Sequence, residues 1–438
     1  MAIYTEQEAR EILDKAMSFS KADACVMYLS GSESGNIRYA RNTVSTAGHQ
    51  SNQSLQVVAN YGKKSGTATI DEFDDDSLQS VVKRAEELAQ LSPENPEFMD
   101  PLEPQTYDKP VNYVEATANI KPEYRAEVAA SSIKPASEQD VTAAGFLDDG
   151  ASFRAMLNSK GLYAYDKSTS VDFTVTMRTN DGTGSGWVTR DYNDISKFDP
   201  EEASAIAIEK AVLSKKARAI EPGRYTVILE PAAAGDLLRN MYRSLGARTA
   251  DEGRSFMSKE GGGTKLGEKI VDERVNIWSD PLHPDVPTAT WNGDGLPLKK
   301  TTWLENGVVK NLAYDRYWAS KSGVDPVPFP PNMIMEGGDM SREELIKSTK
   351  RGILVTRFWY IRSVDPQTLL YTGLTRDGTF YIENGEIKYP VKNFRFNESP
   401  IIMLNNLEAL GEQVRVNGSL IPYMKIRDFT FTSLSDAV

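Results

Sequence analysis

Tyr225-Thr-Val-Ile-Leu229, then Glu230-Pro231, then Ala-Ala-Ala-Gly-Asp-Leu-Leu-Arg-Asn-Met-Tyr-Arg-Ser-Leu-Gly246 is the stretch around which the rest of the chain is organised. The first five residues read as an apolar strand. Glu230 supplies a carboxylate where a helix begins and its dipole favours negative charge, and Pro231 fits a first turn whose amides have no intrahelical partner. Ala234, Leu237, Leu238, Met241 and Leu245 recur at the helical period, so one face of the helix turns to a core while Arg239, Asn240, Arg243 and Ser244 hold the other. Gly246 ends the helix, and a polar segment leads on to a glycine-rich loop.

Downstream the pattern is strand and turn. Asn306-Gly307, Asp377-Gly378, Asn384-Gly385 and Asn417-Gly418 accept the positive dihedrals of tight hairpins. A long apolar strand is expected over 352–361, a meander over 369–374, 379–383 and 386–389, and a short helix over 399–410. The resulting architecture is an antiparallel sheet wrapped around the central helix.

Upstream, Thr5 with Glu8 forms a capping box for a helix to Ser18, with Ala9, Ile12, Leu13 and Ala16 inward. Short strands are expected over 22–29, 35–40, 54–59 and 64–70, followed by a helix over 75–91 with Leu78, Val81, Val82, Ala85 and Leu88 buried. The acidic run Asp71 to Asp76 lacks the glycine and distal glutamate of a calcium loop and reads as that helix's N-terminus. Residues 92–112 read as a linker or arm. The order then recurs: a helix over 122–132, apolar segments over 140–147, 153–158, 162–166 and 171–179, and a helix over 199–213 with Ala205, Ile208, Ala211 and Val212 inward. The fold class is therefore α+β: a duplicated helix-sheet-helix N-terminal domain (1–220) and a C-terminal, mostly antiparallel β domain (221–438). The two copies show no shared residue pattern.

With 438 residues, 40% hydrophobic and 26% charged, the chain has the composition of a globular protein that buries roughly 75% of its unfolded surface. A net charge of -12 argues against a broad phosphate-binding surface, so no nucleic-acid partner is expected. No stretch approaches the ~20 apolar residues of a membrane span, and the N-terminus lacks a signal peptide's charged start and apolar core. The single cysteine, Cys25, sits in an apolar run as a core residue, and the expected location is the cytoplasm.

Nucleotide and hydrolase motifs fail on spacing. The glycines at 261–263 are followed by Glu268 where a phosphate loop needs lysine, and Gly31-Ser-Glu-Ser-Gly35 has Glu33 at the nucleophile position. His49 and His283 are the only histidines and leave no credible catalytic pair.

Ile228-Leu-Glu-Pro231 with its helix, Glu252-Gly-Arg-Ser-Phe256, and Lys392-Asn-Phe-Arg-Phe-Asn-Glu-Ser-Pro400 resemble the TldD/PmbA family, which contains zinc metallopeptidases. In the metal-bearing TldD-type members this helix carries HExxxH, and a cysteine near the C-terminus completes the site. The resemblance carries the motif's histidines and glutamate onto Arg239, Ser244 and Asn240, and the cysteine onto Val414. Zinc needs imidazole, thiolate or carboxylate, so none of these serves. The chain is thus similar to the metal-free TldE or PmbA type, and the resemblance implies no cofactor bound by this chain, zinc in a TldD-like partner subunit, and an extended peptide substrate. Asn393, Arg395, Asn397 and Glu398 are the substrate-groove candidates; no residue is expected to be catalytic. The alternative is a stand-alone homodimeric peptide-binding pseudoenzyme.

Overall fold

The computed structural model describes residues 3–329 and 331–435. Thr5 caps α1 (Glu6–Ser18): its hydroxyl accepts from Glu8 N, and the Glu8 carboxylate accepts from Thr5 N, so two otherwise orphaned amides are bonded reciprocally. The strands β1 (Ala24–Ala40), β2 (Thr43–Tyr61) and β3 (Lys64–Ile70) follow, then α2 (Asp75–Leu91), capped by Asp74. After an extended arm and the short α3 (Glu115–Ala118), the order repeats as α4 (Pro122–Glu138), β4 (Val141–Asn158), β5 (Tyr163–Thr179), β6 (Ser185–Tyr192) and α5 (Pro200–Leu213).

All six strands form one sheet in the order β3-β2-β1-β4-β5-β6, which places the two copies on either side of the antiparallel β1–β4 pair. The short strands expected within 22–40 and 140–158 are in fact single long ones, since pairing runs unbroken from Val26↔Asn158 to Tyr39↔Gly145. Most of their buried apolar residues keep one parity, among them Met27, Leu29, Ile37 and Tyr39 on β1, and Leu147, Phe153, Ala155 and Leu157 on β4. With a side-chain period of two, all eight lie on one face. One end of each strand joins the core under α1 and α2, and the other end joins the core under α4 and α5. Between these cores Arg125 donates to both oxygens of Asp149, from Nε at 2.6 Å and Nη2 at 2.7 Å.

The helix faces differ from expectation by one residue in places. Leu88 and Val212 are 41% and 39% exposed, and Ala205 is also exposed; Ala89, Ala203 and Ala207 are inward instead. Small residues are required there because the helices lie close on the sheet. A Cβ on Gly66 of β3 would stand 2.2 Å from Ala85 O and Ala89 N of α2; on Gly186 of β6 it would stand 2.2 Å from Ala207 O and 2.6 Å from Ala211 N of α5. Each copy therefore repeats an edge-strand glycine against an Ala-x-x-x-Ala step.

The second half begins with β7 (Gly223–Leu229), α6 (Pro231–Tyr242), a 3-10 turn over Arg243–Leu245, and α7 (Ala247–Asp251). Next come β8 (Ile277–Ser279), β9 (Thr301–Glu305), β10 (Val308–Val309), α8 (Arg316–Ser322), β11 (Ile334–Met335) and α9 (Arg342–Lys347). The remaining elements are β12 (Arg351–Val355), β13 (Phe358–Asp365), β14 (Leu370–Thr375), β15 (Thr379–Glu383), β16 (Glu386–Pro390), β17 (Phe394–Glu398), α10 (Pro400–Asn405), β18 (Leu407–Val416) and β19 (Ser419–Leu434). The strands make a 13-stranded sheet in which β7 lies between β12 and β19. Ala233, Ala234, Leu237, Leu238 and Met241 of α6 are fully buried against its aromatic interior, where Phe394, Phe396, Phe429 and Phe431 cluster.

Three expectations for this half are corrected. The apolar run 352–361 breaks into β12 and β13 at Thr356 and Arg357, where the Thr356 hydroxyl donates to Asp377 O and Gly378 O. The expected meander fails because β14 pairs with β13 and β17, and only β15 and β16 form a hairpin. The helix expected over 399–410 ends at Asn405, and β18 takes over from Leu407.

The halves are tied by polar side chains. Arg415 of β18 donates to Asp191 of β6 at 2.9 Å, Ser185 donates to Asp377 at 2.5 Å, and the Arg357 guanidinium lies 4.0 Å from the Trp187 ring centroid. Tyr107, on the arm, donates to Gly295 O at 2.7 Å.

Candidate functional site

Helix α6 is fixed by a buried parallel strand behind it and by an apolar face, so its polar face is presented in a defined orientation. Arg239, Asn240 and Ser244 share this end of the helix. Asn240 Nδ2 donates back to Asp236 O at 3.0 Å, and Ser244 Oγ donates to Met241 O at 2.6 Å. Both side chains are thus spent on their own backbone. Burial raises the Asp236 carboxyl, opposed by the nearby Arg239 and Arg357 charges. Val414 lines a cleft together with Pro231 and Ala232 of α6, a cleft that Arg239, Asn240 and Ser244 do not line. Among the described residues, no group of three histidine, cysteine, aspartate or glutamate side chains is arranged to hold a metal ion. His49 sits on β2 opposite Gly35, and His283 Nδ1 accepts from Asp285 N in a loop. Burial pushes the Cys25 thiol up to about 11.

The four groove candidates do not form one wall. Strand β17 is bonded on both sides, to β14 and β19, so it has no open edge. Alternation puts Glu398 in phase with Phe394 and Phe396. It is 3% exposed and accepts from Ser399 N and Thr430 N, and burial raises its carboxyl. Asn393 accepts from the hydroxyls of Thr375 and Thr379. Only Arg395 and Asn397 point outward and are exposed.

A constellation that the sequence reading missed lies at the junction of the halves. Glu230 was expected to serve the α6 dipole, yet its side chain makes no cap bond. Its carboxylate instead accepts from Lys210 Nζ of α5 at 2.6 Å, and both side chains are about nine-tenths buried. Arg342 at the start of α9 approaches the same carboxylate, Nε to Oε1, at 3.5 Å. A lysine at a helix's inward position, followed twenty residues later by a glutamate ahead of Pro231, was the only available signal.

Three family domain patterns match in order: PmbA/TldA metallopeptidase domain 1 over residues 25–89, the central domain over 100–215, and the C-terminal domain over 222–433. The metalloprotease of Methanothermobacter thermautotrophicus is 28% identical over 295 residues, which span 61% of this chain and 62% of that protein. The metalloprotease PmbA of Escherichia coli is 21% identical over 97% of this chain and 98% of its own length. The solved structure of TldE from Thermococcus kodakarensis superposes with a TM-score of 0.86 at 20% identity, covering 97% of this chain and 99% of that one. With every domain pattern present in sequence order and the fold shared along its length, this chain belongs to the PmbA/TldD metallopeptidase family.

Proposed function

We propose that this chain is a metal-free, TldE-like subunit of a TldD/PmbA-type zinc metallopeptidase complex acting on unfolded or precursor peptides, with zinc supplied by a TldD-like partner. The observation that carries this reading is the polar face of α6, where Arg239, Asn240 and Ser244 stand at the positions matched to HExxxH. Guanidinium, amide and hydroxyl groups are poor zinc ligands, and two of the three are already bonded to their own helix. The chain's own contribution is shape. Among the described residues strand β13 pairs only with β14, and the edge beside exposed Trp359 and Tyr360 suits an extended peptide that adds as a strand. A reducing compartment, the cytoplasm, fits the single buried cysteine.

Purified alone, the chain is expected to carry far less than one zinc per molecule after dialysis, and to leave casein-like and short peptides uncut. Elemental analysis and a peptidase assay on the same preparation check this. One zinc per chain that survives dialysis would overturn the reading.

A further inference from the structure

The cleft at the junction of the halves encloses about 470 Å³ and is walled by α5 and β6 on one side and by α6, α9, β18 and β19 on the other. Its charged end is built on Glu230. That one carboxylate faces two cations, Lys210 at 2.6 Å and Arg342 at 3.5 Å. Lys210 holds the hydrogen bond. Arg342 Nε is buried and makes no hydrogen bond among the described residues; the guanidinium's other acid, Glu343, is 3.5 Å away and mostly exposed. An uncompensated donor of this kind is costly unless something accepts from it.

Two further donors lie beside it. Tyr423 lines the same cleft, and burial, then the Glu230 charge, raises its phenol, so it remains an O–H donor at neutral pH. Its hydroxyl makes no hydrogen bond among the described residues. The 12-residue helix α6 also begins here without a side-chain cap, its positive end turned to the cleft at Ala232. The rest of the lining sets the apolar side chains of Trp187, Ile206 and Val414 among polar ones, including the Arg190–Glu202 ion pair, Lys197 and Asp199. An unpaired guanidinium nitrogen and a phenol donor, in a cleft that also presents Trp187, Ile206 and Val414, describe a receptor for a carboxylate carried on an apolar group.

We propose that this cleft is a carboxylate-binding subsite: Arg342 and the Tyr423 hydroxyl receive a peptide carboxylate at the N-terminal end of α6, and the adjoining apolar side chain lies against Trp187 and Val414. The peptide part of this assignment rests on the subunit reading given above. The carboxylate belongs either to a chain terminus or to an acidic side chain, and the two sources are separable.

Calorimetric titration of the full chain tests it with four probes: acetyl-Ala-Ala-Ala-Phe as the free acid, the same peptide as its C-terminal amide, acetyl-Ala-Glu-Ala-Phe amide, and 3-phenylpropionate. The free acid is expected to bind at least tenfold more tightly than its amide, a difference of about 1.4 kcal/mol. Arg342→Gln is expected to abolish that preference, and Tyr423→Phe to reduce it about threefold. Should Arg342→Gln fold poorly, Tyr423→Phe, which removes only a hydroxyl, still decides the matter. Tight binding of the glutamate-bearing amide assigns the subsite to acidic side chains, and its failure beside a bound free acid assigns it to chain termini. Equal binding of acid and amide overturns the subsite while leaving peptide binding intact. Binding of 3-phenylpropionate, lost in Arg342→Gln, with no peptide bound, keeps the carboxylate site and removes the peptide reading. No binding of either the free acid or 3-phenylpropionate overturns the proposal.

Discussion

Replacing Asp149 with alanine is expected to destabilise the six-stranded sheet by about 3–5 kcal/mol, the usual consequence of leaving one member of a buried ion pair without its partner. The Arg125 side chain is 9% exposed and Asp149 is 2% exposed, and the pair is bidentate, so each charge depends mainly on the other for its solvation. The guanidinium lies over Gly35 of β1, where a Cβ would stand 2.0 Å from Arg125 Cζ, and this glycine is what lets the cation reach the gap between the two cores. The double change Arg125→Met with Asp149→Leu should recover most of the loss, because apolar residues of similar volume need no solvation. Urea denaturation followed by circular dichroism measures both. A loss below about 1 kcal/mol for Asp149→Ala, typical of exposed pairs, would show that the pair is effectively solvated.

Gly186→Val is expected to cost about 3 kcal/mol or more, at or beyond the upper end of ordinary overpacking. The added Cβ meets backbone, Ala207 O and Ala211 N, and no side chain can rotate away. Helix α5 must therefore lift from the sheet. Gly66→Val should behave alike against α2, and the double variant should lose the sum. The two sites are on opposite edges of a six-stranded sheet, roughly 24 Å apart at ~4.8 Å per strand, and share no contact. Thermal denaturation of the singles and the double reads this directly, and mild loss in either single would contradict the close helix–strand approach.

These glycines also mark what was legible. The capping box at Thr5 and Glu8, the Asp74 cap and the Asp199-Pro200 start each carry local chemistry, and the helices they begin run as expected. The duplication was legible in element order alone. Its residue signature, Gly66 with Ala85 and Ala89 against Gly186 with Ala207 and Ala211, joins positions nineteen or more residues apart and becomes a pattern only when strand and helix are packed. The long strands were legible in principle, since Met27, Leu29, Ile37 and Tyr39 keep one parity across Gly31 and Gly35. Glycines and serines there resemble a turn, but the cross-strand ladder with β4 holds them extended. Strand pairing in the second half was not legible, because β12 joins β7 in parallel from over a hundred residues away.

At the site, the helix α6 pattern was readable and its residues lie as its period dictates. Glu398 was misjudged for a physical reason: its phase with Phe394 and Phe396 puts it inside, where two backbone amides satisfy it. The Lys210, Glu230 and Arg342 cluster escaped because its members come from three separated elements, and each looks like an ordinary surface charge in isolation.

The subunit reading is tested most directly by mixing. This chain and a zinc-bearing HExxxH relative from the same source should assemble into a mixed species by native mass spectrometry, with peptide cleavage that neither protein shows alone. Persistence of separate homodimers with no gain in cleavage would contradict it.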